Sequence, residues 1–365
     1  MRGVIVFVAL GLGACGGEEF TNAGSGGGGG GSGGSAGVAG SGGNAGGLGG
    51  AGGSSGSGGA GAVGGAGGVS GSGGCGGSGG SGGGGGSGGG GGSGGGACAG
   101  VDLNTDGSNC GQCGHSCLGS ACAAGECVGK VLVTGVQPKG LAVEGGKLYF
   151  ADEMAGAIRV MPADGSAAPT AFAAGQPSPR YLCIAGGKVY WTKADGTVMM
   201  QPTGGTTATT VASGLSKPLG IGVAGPNAYV AETNTGYLLQ LPLAGGSKVT
   251  LAAMNVGQFI EGLATDGQKI WVAYNLGSGV AELAITGGSE KLFATSQGGP
   301  SGVAVDATWV YWANQQSGEI RKKTKDGTAT VTLKTGVAHA VGVAVDAKFV
   351  YVAEGNAQRI FRVAK

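Results

Sequence analysis

One aromatic residue returns about every 40 positions through the last two thirds of the chain. The series is Tyr149, Tyr190, Tyr229, Trp271, Tyr311 and Tyr351, at spacings of 41, 39, 42, 40 and 40. Six positions before each stands Val143, Ile184, Val223, Thr265, Val305 or Val345, and before those a small residue: Ala142, Cys183, Gly222, Ala264, Ala304 or Ala344. Self-similarity at this period means one supersecondary unit repeated side by side. Within the unit, Gly145-Gly146 and Asp266-Gly267 mark one hairpin turn. Gly204-Gly205, Gly245-Gly246, Gly287-Gly288 and Asp326-Gly327 mark another. Four short strands per unit is the signature of a propeller blade. Outer strands are expected at 170–175, 209–214, 249–254, 291–296 and 331–336. The sixth repeat stops at Lys365 without one, and residues 130–135 supply the missing strand from the front. The expectation is an all-β, six-bladed β-propeller over 130–365 with four-stranded blades, the N-terminal strand closing the last blade so that no edge is left open.

The strings Val189-Tyr190-Trp191-Thr192 and Val310-Tyr311-Trp312-Ala313 resemble the repeats of six-bladed propellers of the NHL and YWTD kinds. The acid of the latter motif is replaced by Lys193 and Asn314 and survives only in Tyr149-Phe150-Ala151-Asp152. The resemblance therefore implies the architecture and no receptor function.

Ahead of the repeats the composition changes. Residues 21–97 hold 47 of the 93 glycines, and no Asp, Glu, Lys or Arg occurs from Phe20 to Val101. Such a stretch cannot bury enough apolar surface to offset its chain entropy, so 15–97 is read as a disordered Gly/Ser/Ala tether. Its root-mean-square span would be about 50 Å. At the front, a basic Met1-Arg2-Gly3 precedes the apolar run 4–12, too short to cross about 30 Å of hydrocarbon. Residues 1–14 fit a secretory signal. Leu12-Gly13-Ala14-Cys15 resembles a bacterial lipobox, which implies a lipid on Cys15, a membrane anchor and an extracytoplasmic address. Gly16 stands where an inner-membrane retention signal would carry Asp, so the outer membrane or cell surface is expected. The alternative is an ordinary secretory signal that happens to end in a cysteine. Cys75, alone in the tether, is read as a stray thiol.

Cys98, Cys110, Cys113, Cys117, Cys122 and Cys127 follow within a module at 98–129. An even count in an exported chain reads as three disulfides of open connectivity. Zinc is the rival, but Cys110-x-x-Cys113 lacks the second distant pair that a zinc ribbon needs. The run Asp102-Leu103-Asn104-Thr105-Asp106-Gly107 imitates a calcium loop, yet its twelfth position is Cys113 rather than Glu, so a turn rich in side-chain caps is the better reading. From Val101 to Gly114, with the later cysteines, the segment resembles the cysteine-rich motif of stigma-specific secreted proteins. Similar modules stand ahead of propellers in exported bacterial proteins, which implies a spacer or cap without chemistry.

Catalytic constellations are scarce. Only His115 and His339 exist, and no nucleophile elbow stands on a strand–helix junction. Cys183 belongs to the small-residue column and is read as a buried, inert thiol. Glu144, Asp266, Asp306 and Asp346 share one turn column and are read as hairpin residues. The run Arg321-Lys322-Lys323, with Lys325, is read as a solvated face. Net charge is +1; with charge so balanced, no nucleic-acid partner is expected. No catalytic residue, cofactor or metal is assigned, and a monomer is expected.

Two columns vary from blade to blade as an asymmetric site would require. Lys139, Arg180, Leu219, Glu261, Ser301 and Val341 end the loops into the innermost strands, while Asp152, Lys193, Glu232, Tyr274, Asn314 and Glu354 begin the loops after the second strands. In a propeller both sets surround one mouth of the central channel. Five repeats carry Gly after the first column; the second repeat instead has Tyr181, which either fills the channel or offers a platform within it. The expected ligand site is Lys139, Arg180, Tyr181, Lys193, Glu261 and His339, suited to an anionic or sugar-like group. A binding module for a peptide, glycan or envelope partner is the leading reading. A surface spacer without specific ligand, and a metal-dependent lactonase- or lyase-like propeller enzyme for which Glu261 and His339 are the close candidates, are the alternatives.

Overall fold

The computed structural model describes residues 100–254, 259–277 and 279–365. The signal, Cys15, the tether, Cys75 and Cys98 lie outside the described residues. The described part is all β, with six antiparallel four-stranded blades and one two-stranded hairpin.

The innermost strands are Pro138–Glu144, Pro179–Ala185, Pro218–Ala224, Ile260–Thr265, Pro300–Val305 and Ala340–Val345, here numbered blades 1 to 6. Each pairs with a second strand, respectively Lys147–Asp152, Lys188–Lys193, Asn227–Glu232, Lys269–Tyr274, Trp309–Asn314 and Phe349–Glu354. Their register explains the repeat. Ala142 faces Tyr149, Cys183 faces Tyr190 and Gly222 faces Tyr229, and Ala264, Ala304 and Ala344 face Trp271, Tyr311 and Tyr351. A small side chain opposite a ring leaves room for that ring to pack between blades, and all six rings are buried. Cys183 is a buried free thiol in this column.

Closure is made by Lys130–Thr134, which pairs antiparallel with Arg359–Ala364 as the outermost strand of blade 6. The Gly column has its own reason. A Cβ at Gly302 would lie 2.6 Å from Gly342 Cα, and one at Gly140 would lie 2.6 Å from Tyr181 Cα. Adjacent innermost strands thus approach backbone to backbone, closer than any side chain allows.

On the face opposite the mouth, the turn acids also clasp neighbouring blades. Asp266 and Asp306 accept the N–H groups of their own turns. Each also takes a lysine from the next blade: Lys325 at 2.8 Å from Asp266, and Lys365 on Asp306. Burial pushes both carboxyls up, but the lysine and backbone hydrogen bonds outweigh it and hold both below the usual range.

The basic run is not a solvated face, as strand alternation and burial divide it. Arg321 donates to Gln297 at 3.3 Å and Lys323 to the Phe293 carbonyl at 2.7 Å, while Lys322 lies on the opposite side, 4.5 Å from the Trp309 ring centroid.

In the cysteine-rich module, Cys110 pairs with Cys122 and Cys117 with Cys127, and Cys113 is also disulfide-bonded. These four sulfurs pack on Ala364 of blade 6, and Glu126 binds Lys334 of blade 5 at 2.7 Å. The calcium-like run forms side-chain-capped turns, with Asp102 accepting from Asn104 N–H and the Thr105 hydroxyl.

Two outcomes follow. Deleting residues 130–134 should lower the melting temperature sharply and promote aggregation through the exposed edge of Arg359–Ala364; an unchanged Tm would place closure elsewhere. Because Asp266 and Asp306 titrate below their unfolded values, their stabilisation is complete above the unfolded carboxylate range and disappears as pH falls through the lower folded values. Denaturant titrations from pH 7 down to pH 2 should show this slope, flattened in an Asp266→Asn, Asp306→Asn double variant.

Candidate functional site at the channel mouth

The mouth is shaped by two backbone features repeated around the ring. First, every innermost strand carries a bulge near its start, between Pro138 and Leu141 in blade 1 and at the matching places in the other five. The bulged segments contain the column Lys139, Arg180, Leu219, Glu261, Ser301 and Val341. A bulge breaks strand alternation and re-aims side chains, and the column divides: Lys139, Arg180 and Glu261 are partly exposed, while Leu219, Ser301 and Val341 are buried.

Second, the residue just before the innermost strand has positive φ in five of six blades: Ser178 (47°), Lys217 (53°), Phe259 (47°), Gly299 (66°) and His339 (61°). Only one of these is glycine, and Ser178 and Lys217 also precede proline, which further restricts them. Non-glycine residues in this region carry strain of about 1–3 kcal/mol each, tolerated where the surroundings impose it. A backbone brace in every blade imposes it. The carbonyls of Gln137, Ser178, Lys217, Phe259, Gly299 and His339 accept the N–H groups of Glu153, Ala194, Thr233, Asn275, Gln315 and Gly355, at 2.8–3.2 Å. These twelve residues, rather than the second column read from the sequence, face each other around the opening.

The second column itself is largely structural. Asp152, Glu232, Asn314, Glu354 and Tyr274 are buried. Asp152 accepts Gln137 N–H and pairs with Arg159, Glu232 accepts Ser216 N–H, and Glu354 accepts Ala338 N–H. They fasten the loops instead of lining the mouth.

The expected site residues divide into three groups. Lys139 and Arg180 converge on Glu153, at 3.4 and 2.8 Å. Lys193 stands apart, on Asp195 at 2.8 Å. Glu261 and His339 are joined through two amides: Asn275 Nδ2 donates to Glu261 Oε2 at 3.0 Å and to Gln315 Oε1 at 2.7 Å, and Gln315 Nε2 meets His339 Nε2 at 2.6 Å. An amide N–H can only donate, so His339 Nε2 accepts and the ring's proton is on Nδ1. His339 also packs on Gly355, where a Cβ would sit 2.7 Å from Nδ1. Tyr181 reaches from blade 2 to blade 6, its hydroxyl donating to the Val341 carbonyl at 3.2 Å. It reaches past blade 1, which packs between the two.

The electrostatics follow. Burial raises the Glu261 carboxyl, against the pull of Lys139, the Asn275 hydrogen bond, Arg180 and Lys217. Burial, then Lys139, lowers His339, which is neutral at pH 7. Burial, reinforced by Glu261, raises the Tyr181 hydroxyl. Glu153 is shared by Lys139 and Arg180 and Asp195 takes Lys193, so the mouth sets amide, imidazole and carboxyl hydrogen-bonding groups beside partly neutralised cations. Around these, Met154, Phe259 and Leu276 are exposed, with Lys217 4.6 Å from the Phe259 ring centroid. Glu153, Lys217, Phe259, Asn275 and Gln315 went unnoticed in the sequence. The signal available was their shared spacing, the two members of each brace standing 16 positions apart.

Among the described residues, the only three His, Cys, Asp or Glu ligand atoms within 4.8 Å of one another belong to Cys110, Cys117 and Cys127. All three sulfurs are in disulfides, and so are not thiolate ligands.

No protein-family model matches the chain. No curated protein matches it either. Solved structures do. A gluconolactonase from Xanthomonas campestris is 13% identical at a TM-score of 0.54, covering 64% of this chain and 88% of that one. An auxiliary nutrient binding protein from Bacteroides thetaiotaomicron is 11% identical at 0.53, covering 63% and 69%. An inactive virginiamycin B lyase from Staphylococcus aureus with quinupristin is 14% identical at 0.50, covering 65% and 97%. At such identities the likeness is one of fold.

The network predicts its own titration. By NMR, His339 should titrate below the ordinary histidine value, and Lys139→Met should move it upward. Tyr181→Phe should cost about 1 kcal/mol through the lost bond to Val341. A His339 midpoint unmoved by Lys139→Met would separate the two groups.

Proposed function

We propose that this chain is a binding module, a propeller held at the cell envelope by a lipid on Cys15 and a Gly/Ser tether, which presents its channel mouth to an extended peptide segment of a partner protein. The observation that carries this reading is the ring of strained, braced residues. Lys217, Phe259 and His339 adopt positive φ at the mouth, where neither a turn nor the core requires a large side chain. Backbone strain held in place by a repeated brace is a mark of pre-organisation. The chemistry beside it suits a main chain. Asn275, Gln315 and Glu261 offer donors and acceptors in one connected row, and exposed Met154, Phe259 and Leu276 supply apolar contact for side chains.

An enzyme reading draws less support. Glu261 and His339 are separated by two amides, so neither activates the other directly, and the described carboxylates at the mouth do not converge on a common point.

Two experiments test the proposal. Replacing Cys15 with Ser should release the protein from the membrane fraction and abolish labelling by radioactive palmitate; continued labelling removes the anchor. A peptide-display selection against the chain should return ligands that Phe259→Ala and Gln315→Ala each weaken about tenfold with Tm unchanged. Ligands indifferent to both substitutions would reject the mouth as the site, and saturable binding to a glycan array in place of peptides would reject the partner's class.

A further inference from the structure

A second site lies away from the mouth, where the cysteine-rich module meets blade 5. A cleft of about 440 Å³ opens there, within the size range of small-molecule sites. Its propeller wall is formed by Trp309, Lys322, Val331 and Leu333, and its other wall by Gln112 and His115.

The charges in the cleft are unequally satisfied. Glu126 is engaged by Lys334 and by the backbone and hydroxyl of Thr335. Nearby Asp306 is taken by Lys365, the Tyr311 hydroxyl and two N–H groups of its own turn. Lys322 has neither a hydrogen bond nor an ion pair from its ammonium among the described residues. Its one close partner is the Trp309 ring, at 4.5 Å. Lys322 is half-buried, with Lys365 close enough to repel it. A ring face compensates a desolvated ammonium only in part. His115 Nδ1 is bonded to the Cys110 carbonyl at 2.7 Å; a carbonyl only accepts, so Nδ1 donates and Nε2 keeps a lone pair. Val331, Leu333, Ala329 and the Trp309 ring supply the apolar surface.

We propose that this cleft binds a small organic acid, its single carboxylate on the Lys322 ammonium and its apolar body against Trp309, Val331 and Leu333. The ion pair is formed in a partly desolvated place, where a charge-assisted bond is stronger than on an open surface. The cysteine-rich module is then one wall of a site, and not only a cap on the propeller.

The test uses the full chain carrying Cys15→Ser, which leaves every described residue unchanged, and calorimetric titration with decanoate and 1-naphthoate against their neutral counterparts decanol and 1-naphthamide. At least one acid should bind saturably and its neutral counterpart about tenfold or more weaker. Lys322→Met should abolish the preference, Lys322→Arg should retain it, and Ala329→Trp should block binding without lowering Tm. Absence of saturable binding by both acids at millimolar concentration overturns the proposal. So does equal affinity for acid and neutral counterpart, or binding untouched by Lys322→Met. None of these outcomes bears on the mouth, which shares no lining residue with the cleft.

Discussion

The close approach of the six innermost strands underlies everything else in this molecule. At Gly140, Gly220, Gly262, Gly302 and Gly342, backbone meets backbone of the next blade, leaving no room for even a methyl group. That contact draws the blades into a tight ring, and the ring demands a large residue farther out to fill the widening gap. The aromatic column does this, each ring opposed by a small residue across the strand pair. Loss of either partner opens a void or forces an overlap, both costly in a close-packed interior.

The same geometry decides where a site can be. Near the axis there is little open space, about 30 Å³ among the innermost strands, and Tyr181 ties blade 2 to blade 6 through Val341. The proposed recognition would therefore fall to the loops that surround the mouth. These loops are not free to vary in conformation, because one carbonyl-to-amide brace per blade fixes each pair. Variation falls mainly on side chains, with a glutamate at 153, an asparagine at 275 and a glutamine at 315 in equivalent places. A rigid frame carrying unlike groups is what a selective surface requires.

Charge is used differently on the two faces. Opposite the mouth, Asp266 and Asp306 join blades through Lys325 and Lys365, and their role is cohesion. At the mouth, Lys139 and Arg180 share Glu153, so the positive potential expected there is reduced but not cancelled. Lys322 is the exception to this economy: a half-buried cation whose neighbouring acids are already engaged.

The fold was legible in the chain because its determinants recur with the period of the blade. The rings from Tyr149 to Tyr351, the small residues opposite them, the turn pairs and the leading strand at 130–134 are each local features repeated at one spacing. Alternation places them without knowledge of distant contacts. The site was legible only in part. His339 stood out as one of two histidines and Glu261 as the acid of its loop column, but their link through Asn275 and Gln315 joins three blades and has no local signature. The second column, Asp152 to Glu354, varied in sequence like a site and proved to be buried loop fasteners, because variation records freedom of choice and not direction. Lys322 read as part of a basic surface run until strand alternation and the cysteine-rich module enclosed it. What the sequence by itself determined was the repeat, since a blade is specified by residues about 40 apart at most. Which side chains meet across the ring, and which charge is left without a partner, was decided by closure, which brings residues 126 and 334 or 181 and 341 into contact.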